Sequence, residues 1–188
     1  MLNAQVFDRL TAVLTKLTTK ETITMAPVLG KAIPELKPTF GFDQHSPHHK
    51  YDLYTHIAHV VGSVPEDAVL RWAALLHDVG KVPTFARDET GRGHFKNHAA
   101  VGADMADCIL RRLGAPEETR EEAVTLIRLH MTKLAPEQLP EMVTNLGWDT
   151  VNRLLCLQEA DMGSKGVPGE EDRAQFRQLR KSLEALRT

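Results

Sequence analysis

The sequence predicts an all-α protein. Apolar residues recur at three- and four-residue spacing through nearly every segment, and no run shows the strict alternation of a half-buried strand. Pro, Gly and acidic residues fall between the periodic stretches, where helices start and stop. With 188 residues, 42% of them hydrophobic, the chain is long enough for one domain with a substantial core and too short for two, so a single domain over residues 1–188 is expected.

The elements follow in order. A first helix carries Val6, Leu10, Val13, Leu14 and Leu17, and a shorter one spans residues 24–29 with Gly30 placed to end it. Residues 38–50 form a loop rich in Gly, Pro and His, followed by a helix over residues 51–61. The next helix opens on Pro65, Glu66 and Asp67, runs through Ala68, Val69, Leu70, Arg71, Trp72, Ala73, Ala74, Leu75 and Leu76, and stops at Gly80. It is apolar on every side but one, the pattern of a helix buried all round. Residues 82–97 are polar and glycine-bearing, long for a connection, and such loops often bind or cover a ligand. Asn97 can cap the next helix, which ends before Gly114, and Pro116, Glu117 and Glu118 open another that runs to about Met131. A proline-broken stretch over residues 136–140 leads to a helix over 149–162. A loop over 163–169 precedes a charged C-terminal helix carrying Phe176, Leu179, Leu183 and Leu186.

Composition excludes several classes of function. Lys and Arg number 23 against 25 Asp and Glu, and the basic residues are scattered, so the electrostatic footprint of a nucleic-acid binder is missing while a small anionic substrate is compatible. Cys108 and Cys156 both fall in apolar helical patterns and read as free, buried thiols in a reducing compartment. No stretch approaches the apolar length that spans a bilayer, and the first residues lack the pattern of a signal peptide, so a cytoplasmic location is expected. Nothing in the sequence decides whether the chain forms a homo-oligomer.

The most informative feature is the pair His77 and Asp78 at the end of the buried helix. A carboxylate there meets the negative pole of the helix in low dielectric, and both effects oppose its ionisation. Asp78 therefore requires a cation, and Lys81 and a metal ion shared with His77 are the two candidates. An isolated pair reads by default as a buried hydrogen bond or a loop cap. Projection of the other helices changes that reading. His56 borders the stripe of Leu53, Ile57, Val60 and Val61, whereas His59 points away. His98 aligns with Gly102, Met105 and Ile109, where Gly102, Ala103 and Ala106 permit close approach of another helix. His130 shares a stripe with Ala123, Ile127 and Leu134, and Asp161 shares one with Leu154 and Leu157. Buried Asp is rare unless paired or bound to a metal.

The inward set is thus His56, His77, Asp78, His98, His130 and Asp161, on five helices. Its nitrogen and oxygen donors suit a divalent transition metal (Fe, Mn, Ni, Co or Zn) better than Ca or Mg, and the lack of thiolate argues against a structural zinc site. Six side chains accommodate two ions bridged by Asp78. A mononuclear site of His56, His77, Asp78 and Asp161 is the smaller alternative.

In that order of motifs, His56, then His77 and Asp78 with Gly80 and Lys81, then Asp161, the chain resembles the HD-domain superfamily of metal-dependent phosphohydrolases, over an HD core of residues 51–165 with flanking segments 1–50 and 166–188. Gln44 with His48, His49, Lys50, Tyr51 and Asp52, then His94, Phe95, Lys96, Asn97 and His98, then Glu159, Ala160 and Asp161, is similar to the HD half of bacterial CCA-adding tRNA nucleotidyltransferases. That likeness extends back through Pro34, Glu35 and Leu36. The nucleotidyltransferase head motif is absent from the sequence, so a stand-alone HD domain is expected and CCA addition is not implied. The resemblance implies that His56, His77, Asp78 and Asp161 are metal ligands, that His98 and His130 serve a second ion, and that Lys81 faces a substrate phosphate.

The reading that follows is an enzyme: a metal-dependent phosphohydrolase acting on a small phosphorylated substrate, nucleotide-type, as a phosphomonoester or cyclic phosphodiester. A divalent ion lowers the pKa of water towards about 7 and offsets phosphoryl charge. Asp78 then orients the nucleophile, and Lys81 meets the developing charge, with Arg87, Arg92 or Lys165 from flanking loops as further substrate-binding candidates. His45, His48, His49 and His94 are read as surface or pocket-wall groups. Two alternatives remain open: an HD-type di-iron oxygenase, and a non-catalytic nucleotide- or tRNA-associated binding module.

Overall fold

A computed structural model describes residues 2–45, 50–166 and 169–187, so His48 and His49 lie outside the described residues. In chain order the elements are α1 (Leu2–Leu14), α2 (Thr19–Thr24), α3 (Ala26–Ala32), a 3₁₀ turn (Pro34–Thr39), α4 (Leu53–Ser63), α5 (Ala68–Leu76), α6 (Lys81–Thr84), β1 (Phe85–Arg87), β2 (Gly93–Phe95), α7 (His98–Leu113), α8 (Glu117–Leu129), a second 3₁₀ turn (Pro136–Gln138), α9 (Leu139–Leu146), α10 (Trp148–Lys165) and α11 (Glu170–Glu184). The fold is all-α. The exception is an antiparallel ribbon that sets Phe85 opposite Phe95 within the long 82–97 segment. Strands of three residues are too short to leave a period-two signal in the sequence.

α5 is the central helix and packs against α1, α4, α8 and α10. Leu70 through Leu76 are all buried, as its apolar pattern predicts. Arg71 is buried with them because its guanidinium donates to the carbonyls of Leu17 (2.7 Å) and Pro65 (2.9 Å). The helix begins later than Pro65. Asp67 is its N-cap and accepts from the Leu70 N–H at 2.9 Å, a bond of the kind that contributes about 1 kcal/mol. Arg153 of α10 donates to the same Asp67 at 2.8 Å and to Glu122 of α8 at 2.7 Å, tying three helices together.

Several predicted details are corrected by packing. In α1 the buried positions are Phe7 and Leu14, while Val6 and Val13 are more than 40% exposed, because the Phe7 ring stacks on Trp72 at 5.3 Å and sets the helix rotation. Gly30 lies inside α3, where a Cβ would come within 2.9 Å of the Phe40 ring, so it serves close approach and not termination. Helix α9 occupies part of the stretch read as proline-broken. Pro140 falls in its first turn, where the missing N–H costs nothing. α10 passes through Gly163 and ends at Lys165, so residues 163–165 are helical. Asn97 sits at the N-cap of α7 without a side-chain cap bond and contributes instead its left-handed backbone, φ 64°. Cys108 and Cys156 are free, but Cys108 is exposed and Cys156 half-buried. Cys108 lies on the solvent side of α7, while Ala106, Ile109 and Leu110 turn inward.

The closest backbone approach in this region joins the turn after α5 to α7. A Cβ on Gly80 would stand 2.2 Å from the His98 carbonyl oxygen and 2.5 Å from the Gly102 nitrogen, whereas a Cβ on Gly102 would meet the Gly80 nitrogen at 3.3 Å. Gly80→Ala is therefore expected to destabilise the fold by about 1–3 kcal/mol or more, and Gly102→Ala by clearly less. Urea unfolding of both variants checks the order; equal midpoints would contradict it.

Candidate metal centre

The sequence-predicted histidines and carboxylates occupy helix ends, the turn after one of them, and two helix interiors. His77 is the residue that closes α5, Asp78 follows it in the turn, and His130 likewise closes α8. His98 opens α7, His56 lies within α4 and Asp161 within α10. All six are buried and converge. His56 Nε2 is 3.3 Å from His77 Nε2 and 3.1 Å from both Asp78 Oδ2 and Asp161 Oδ1. His77 Nε2 is 3.2 Å from Asp78 Oδ2. On the other side of the same carboxylate, His98 Nε2 and His130 Nε2 are 3.3 Å apart and lie 3.5 and 3.8 Å from Asp78 Oδ1.

The hydrogen bonds on the far side of each ring fix its tautomer. The Nδ1 atoms of His77, His98 and His130 lie 2.8, 2.8 and 2.6 Å from the carbonyl oxygens of Ala74, Phe95 and Ile127. A carbonyl only accepts, so each Nδ1 carries the proton. Ser164 Oγ donates to the Asp161 carbonyl at 2.7 Å and therefore accepts from His56 Nδ1 at 2.8 Å. In the neutral rings the four inward Nε2 atoms are lone pairs, facing one another and two carboxylates. Asp78 Oδ2 and Asp161 Oδ1 are buried and accept no hydrogen bond of good geometry among the described residues.

Such an arrangement is repulsive unless a cation occupies it. Donors held about 2.1 Å from a shared ion at tetrahedral or right angles stand about 3.0–3.4 Å apart, the spacing of His56 from His77, Asp78 and Asp161 and of His77 from Asp78, while His77 and Asp161 stand wider, at 3.8 Å. Two groups could hold an ion: His56, His77, Asp78 and Asp161, and Asp78 with His98 and His130. Asp78 belongs to both and presents a different oxygen to each.

Electrostatics agree with this geometry. Burial opposes charge on Asp78 and Asp161, yet His77 and Lys81 hold Asp78, and His56 and Lys165 hold Asp161, well below the usual carboxylate range. Burial also opposes an imidazolium at His56, but Asp161 and Asp78 outweigh it and raise its pKa, so a proton and a metal ion compete for the same position. Burial lowers His98, and burial with His77 lowers His130 to about 4, so near neutral pH both rings offer their lone pairs.

Lys81 is buried beside this set, 2.8 Å from Asp78 Oδ2, and donates to Gln44 Oε1 at 2.8 Å above the Phe95 ring. Lys165, predicted to come from a loop, is on the last turn of α10 and donates to Asp161 Oδ2 at 2.7 Å. Both lysines line an open cavity of about 230 Å³ with Asp78, His98, Asp161 and His94. Arg87 and Arg92 do not line it. Arg87 is exposed on β1, with Nη2 2.5 Å from His45 Nε2, and Arg92 is exposed in the turn of the ribbon, because the ribbon folds their side chains away from the cavity that His94 and Phe95 border. Ser164 and Gln44 were not predicted to act here. Their signals were spacing, since Ser164 lies three residues past Asp161 on a helix unbroken by Gly163, and a buried glutamine in a histidine-rich loop.

The fold and site define a class: a helical domain with a buried histidine–carboxylate cluster of the kind that binds divalent metals. Residues 51–162 match the model of the HD domain, and the chain belongs to that family. It is 35% identical over 156 residues to the A-adding tRNA nucleotidyltransferase of Deinococcus radiodurans, covering 79% of this chain and 36% of the relative. It is 38% identical over 117 residues to the CC-adding tRNA nucleotidyltransferase of Thermus thermophilus (59% and 27%), and 37% identical over 106 residues to the Multifunctional CCA protein of Aromatoleum aromaticum (54% and 25%). The chain thus spans between a quarter and about a third of the length of these curated relatives. No helix among the described residues is long and apolar enough to cross a membrane.

Removing the hydroxyl that fixes the His56 tautomer should weaken metal binding without touching a ligand. Ser164→Ala is expected to lower the affinity for a divalent transition ion by about 10- to 100-fold, read by chelator competition, while the fold stays intact. Unchanged affinity would remove Ser164 from this role.

Proposed function

We propose that this domain is a metal-dependent phosphohydrolase in which His56, His77, Asp78 and Asp161 hold one divalent transition ion, and Asp78, His98 and His130 hold a second. The observation that carries the reading is the Asp78 carboxylate, whose two oxygens face two separate donor groups beside a cavity bordered by two lysines. When bound, such ions supply Lewis-acid activation of water and offset charge on phosphoryl oxygens.

The chain's own residues supply the rest. Asp78 bridges the two donor groups and orients the attacking water. Lys81, held by Gln44 and by the Asp78 carboxylate, presents a fixed ammonium towards the cavity, where it meets charge on the phosphoryl oxygens. Lys165 faces the same cavity from α10 and supplies a second cation for a small phosphorylated substrate. His94 borders the opening, with its Nε2 2.6 Å from Asp88 Oδ2. The water oxygen bonds to phosphorus, the ester P–O bond breaks, and the alcohol leaves with a proton from the water.

The test uses the purified chain, metal analysis and phosphoester substrates. Wild-type protein is expected to bind two divalent ions and to release p-nitrophenol from a p-nitrophenyl phosphoester. Asp78→Ala should lose both metal and activity. Lys81→Met should keep the metal and lose about 10²-fold or more in kcat. Full metal occupancy in Asp78→Ala would overturn the ligand assignment, and substrate-dependent oxygen consumption without phosphoester hydrolysis would replace the hydrolase by an oxygenase. The likeness to tRNA nucleotidyltransferases favours a second reading, a tRNA-associated module, supported by tRNA binding without turnover of any phosphoester.

A further inference from the structure

A second cavity, of about 310 Å³, adjoins the first and differs from it in chemistry. Its wall is formed by Met131, Leu134, Met162, Phe176 and Leu179, the last two contributed by α11. Met131, Asp161 and Lys165 line both cavities, so the two share a boundary, and His130 of the metal centre borders the second one. We propose that this apolar cavity is the subsite for the leaving-group arm of the substrate, and that the arm is a neutral ring-bearing alcohol. The proposal rests on the phosphoester reading above.

Three observations support it. Two thioethers and one phenyl ring provide polarisable surfaces that favour contact with a flat ring. The amide nitrogen of Gln158 is occupied, since it donates to the carbonyls of His130 (3.1 Å) and Thr132 (2.8 Å), fastening the turn that carries Met131. Gln175 Nε2 similarly points to the Leu134 carbonyl at 3.4 Å. The wall charges Asp161 and Lys165 belong to the shared boundary and Lys133 is exposed, which leaves an uncharged interior suited to a neutral arm. Moreover, α11 lies outside residues 51–162, so the wall it contributes is an addition of this chain's C-terminal segment to the matched HD stretch.

The experiment is calorimetric titration of the metal-loaded full chain with three non-hydrolysable ligands: methylphosphonate, phenylphosphonate and a nucleoside 5′-methylenephosphonate. At least one ring-bearing ligand is expected to bind about tenfold or more tighter than methylphosphonate, and which one does distinguishes an aryl from a nucleoside arm. The preference should fall to near unity in Phe176→Ala and shrink in Met131→Ser, whose side chain is 55% exposed and so can change without core damage. Equal binding of all three ligands, or a preference intact in both variants, overturns the subsite alone. Binding of none overturns the subsite together with the phosphoester reading.

Discussion

The constraint on which the rest of the structure depends is the mutual repulsion of four imidazole lone pairs and two carboxylates gathered in the interior. Left to themselves these groups would separate, protonate or admit water, since each buried unpaired polar atom costs on the order of 1–3 kcal/mol. They stay together because each ring is fastened from behind. Three Nδ1–H groups donate to carbonyls three residues earlier in the chain, and the fourth donates to Ser164. Hydrogen bonds on the far side of each ring thus hold the inner donors in a geometry that could hold a metal ion.

The helices support the same arrangement. α5 and α8 both terminate at a histidine of the cluster, so their negative poles point into it, which favours a cation and disfavours an unaccompanied carboxylate. The Gly80–Gly102 contact lets α7 approach closely enough for His98 to share Asp78. α10 contributes through continuity. Because the helix does not stop at Gly163, Ser164 and Lys165 remain three and four residues beyond Asp161, one orienting His56 and the other paired with the Asp161 carboxylate.

Much of this was legible in the sequence, and the parts that were not share a cause. The inward positions of His56, His77, Asp78, His98, His130 and Asp161 follow from helical periodicity, which reports which face of a helix is buried. Buried Asp78 and Asp161 were conspicuous because a carboxylate on an apolar face needs a compensating cation. The misplaced details turn on tertiary contacts. Val6 and Val13 are as apolar as Phe7, and only the Trp72 ring decides which of them is inside. Gly163 breaks many helices, but α10 is packed on both sides of it, and packing overrides propensity. Arg87 and Arg92 were plausible anion ligands as part of a long polar loop. Once the loop is a ribbon with fixed register, β2 gives the cavity His94 and Phe95 and leaves those two arginines outside its lining.

The charges of the centre add a final constraint on its ligand. Two aspartates and two lysines sit within hydrogen-bonding distance of one another, Asp78 with Lys81 and Asp161 with Lys165, and imidazoles that offer their Nε2 lone pairs to an ion add no charge. The side chains are therefore close to balanced by themselves. Any divalent ion added to a balanced set leaves the cavity strongly positive, in a partly desolvated space where charge is weakly screened. If the lysines served only to neutralise the carboxylates, the ion would make them redundant, and burying Lys81 would carry a large desolvation cost with nothing to offset it. Their persistence beside the donor groups has a physical reason when the cavity receives an anion, because the ammonium that one carboxylate no longer needs is already placed, without reorganisation, for the charge that arrives.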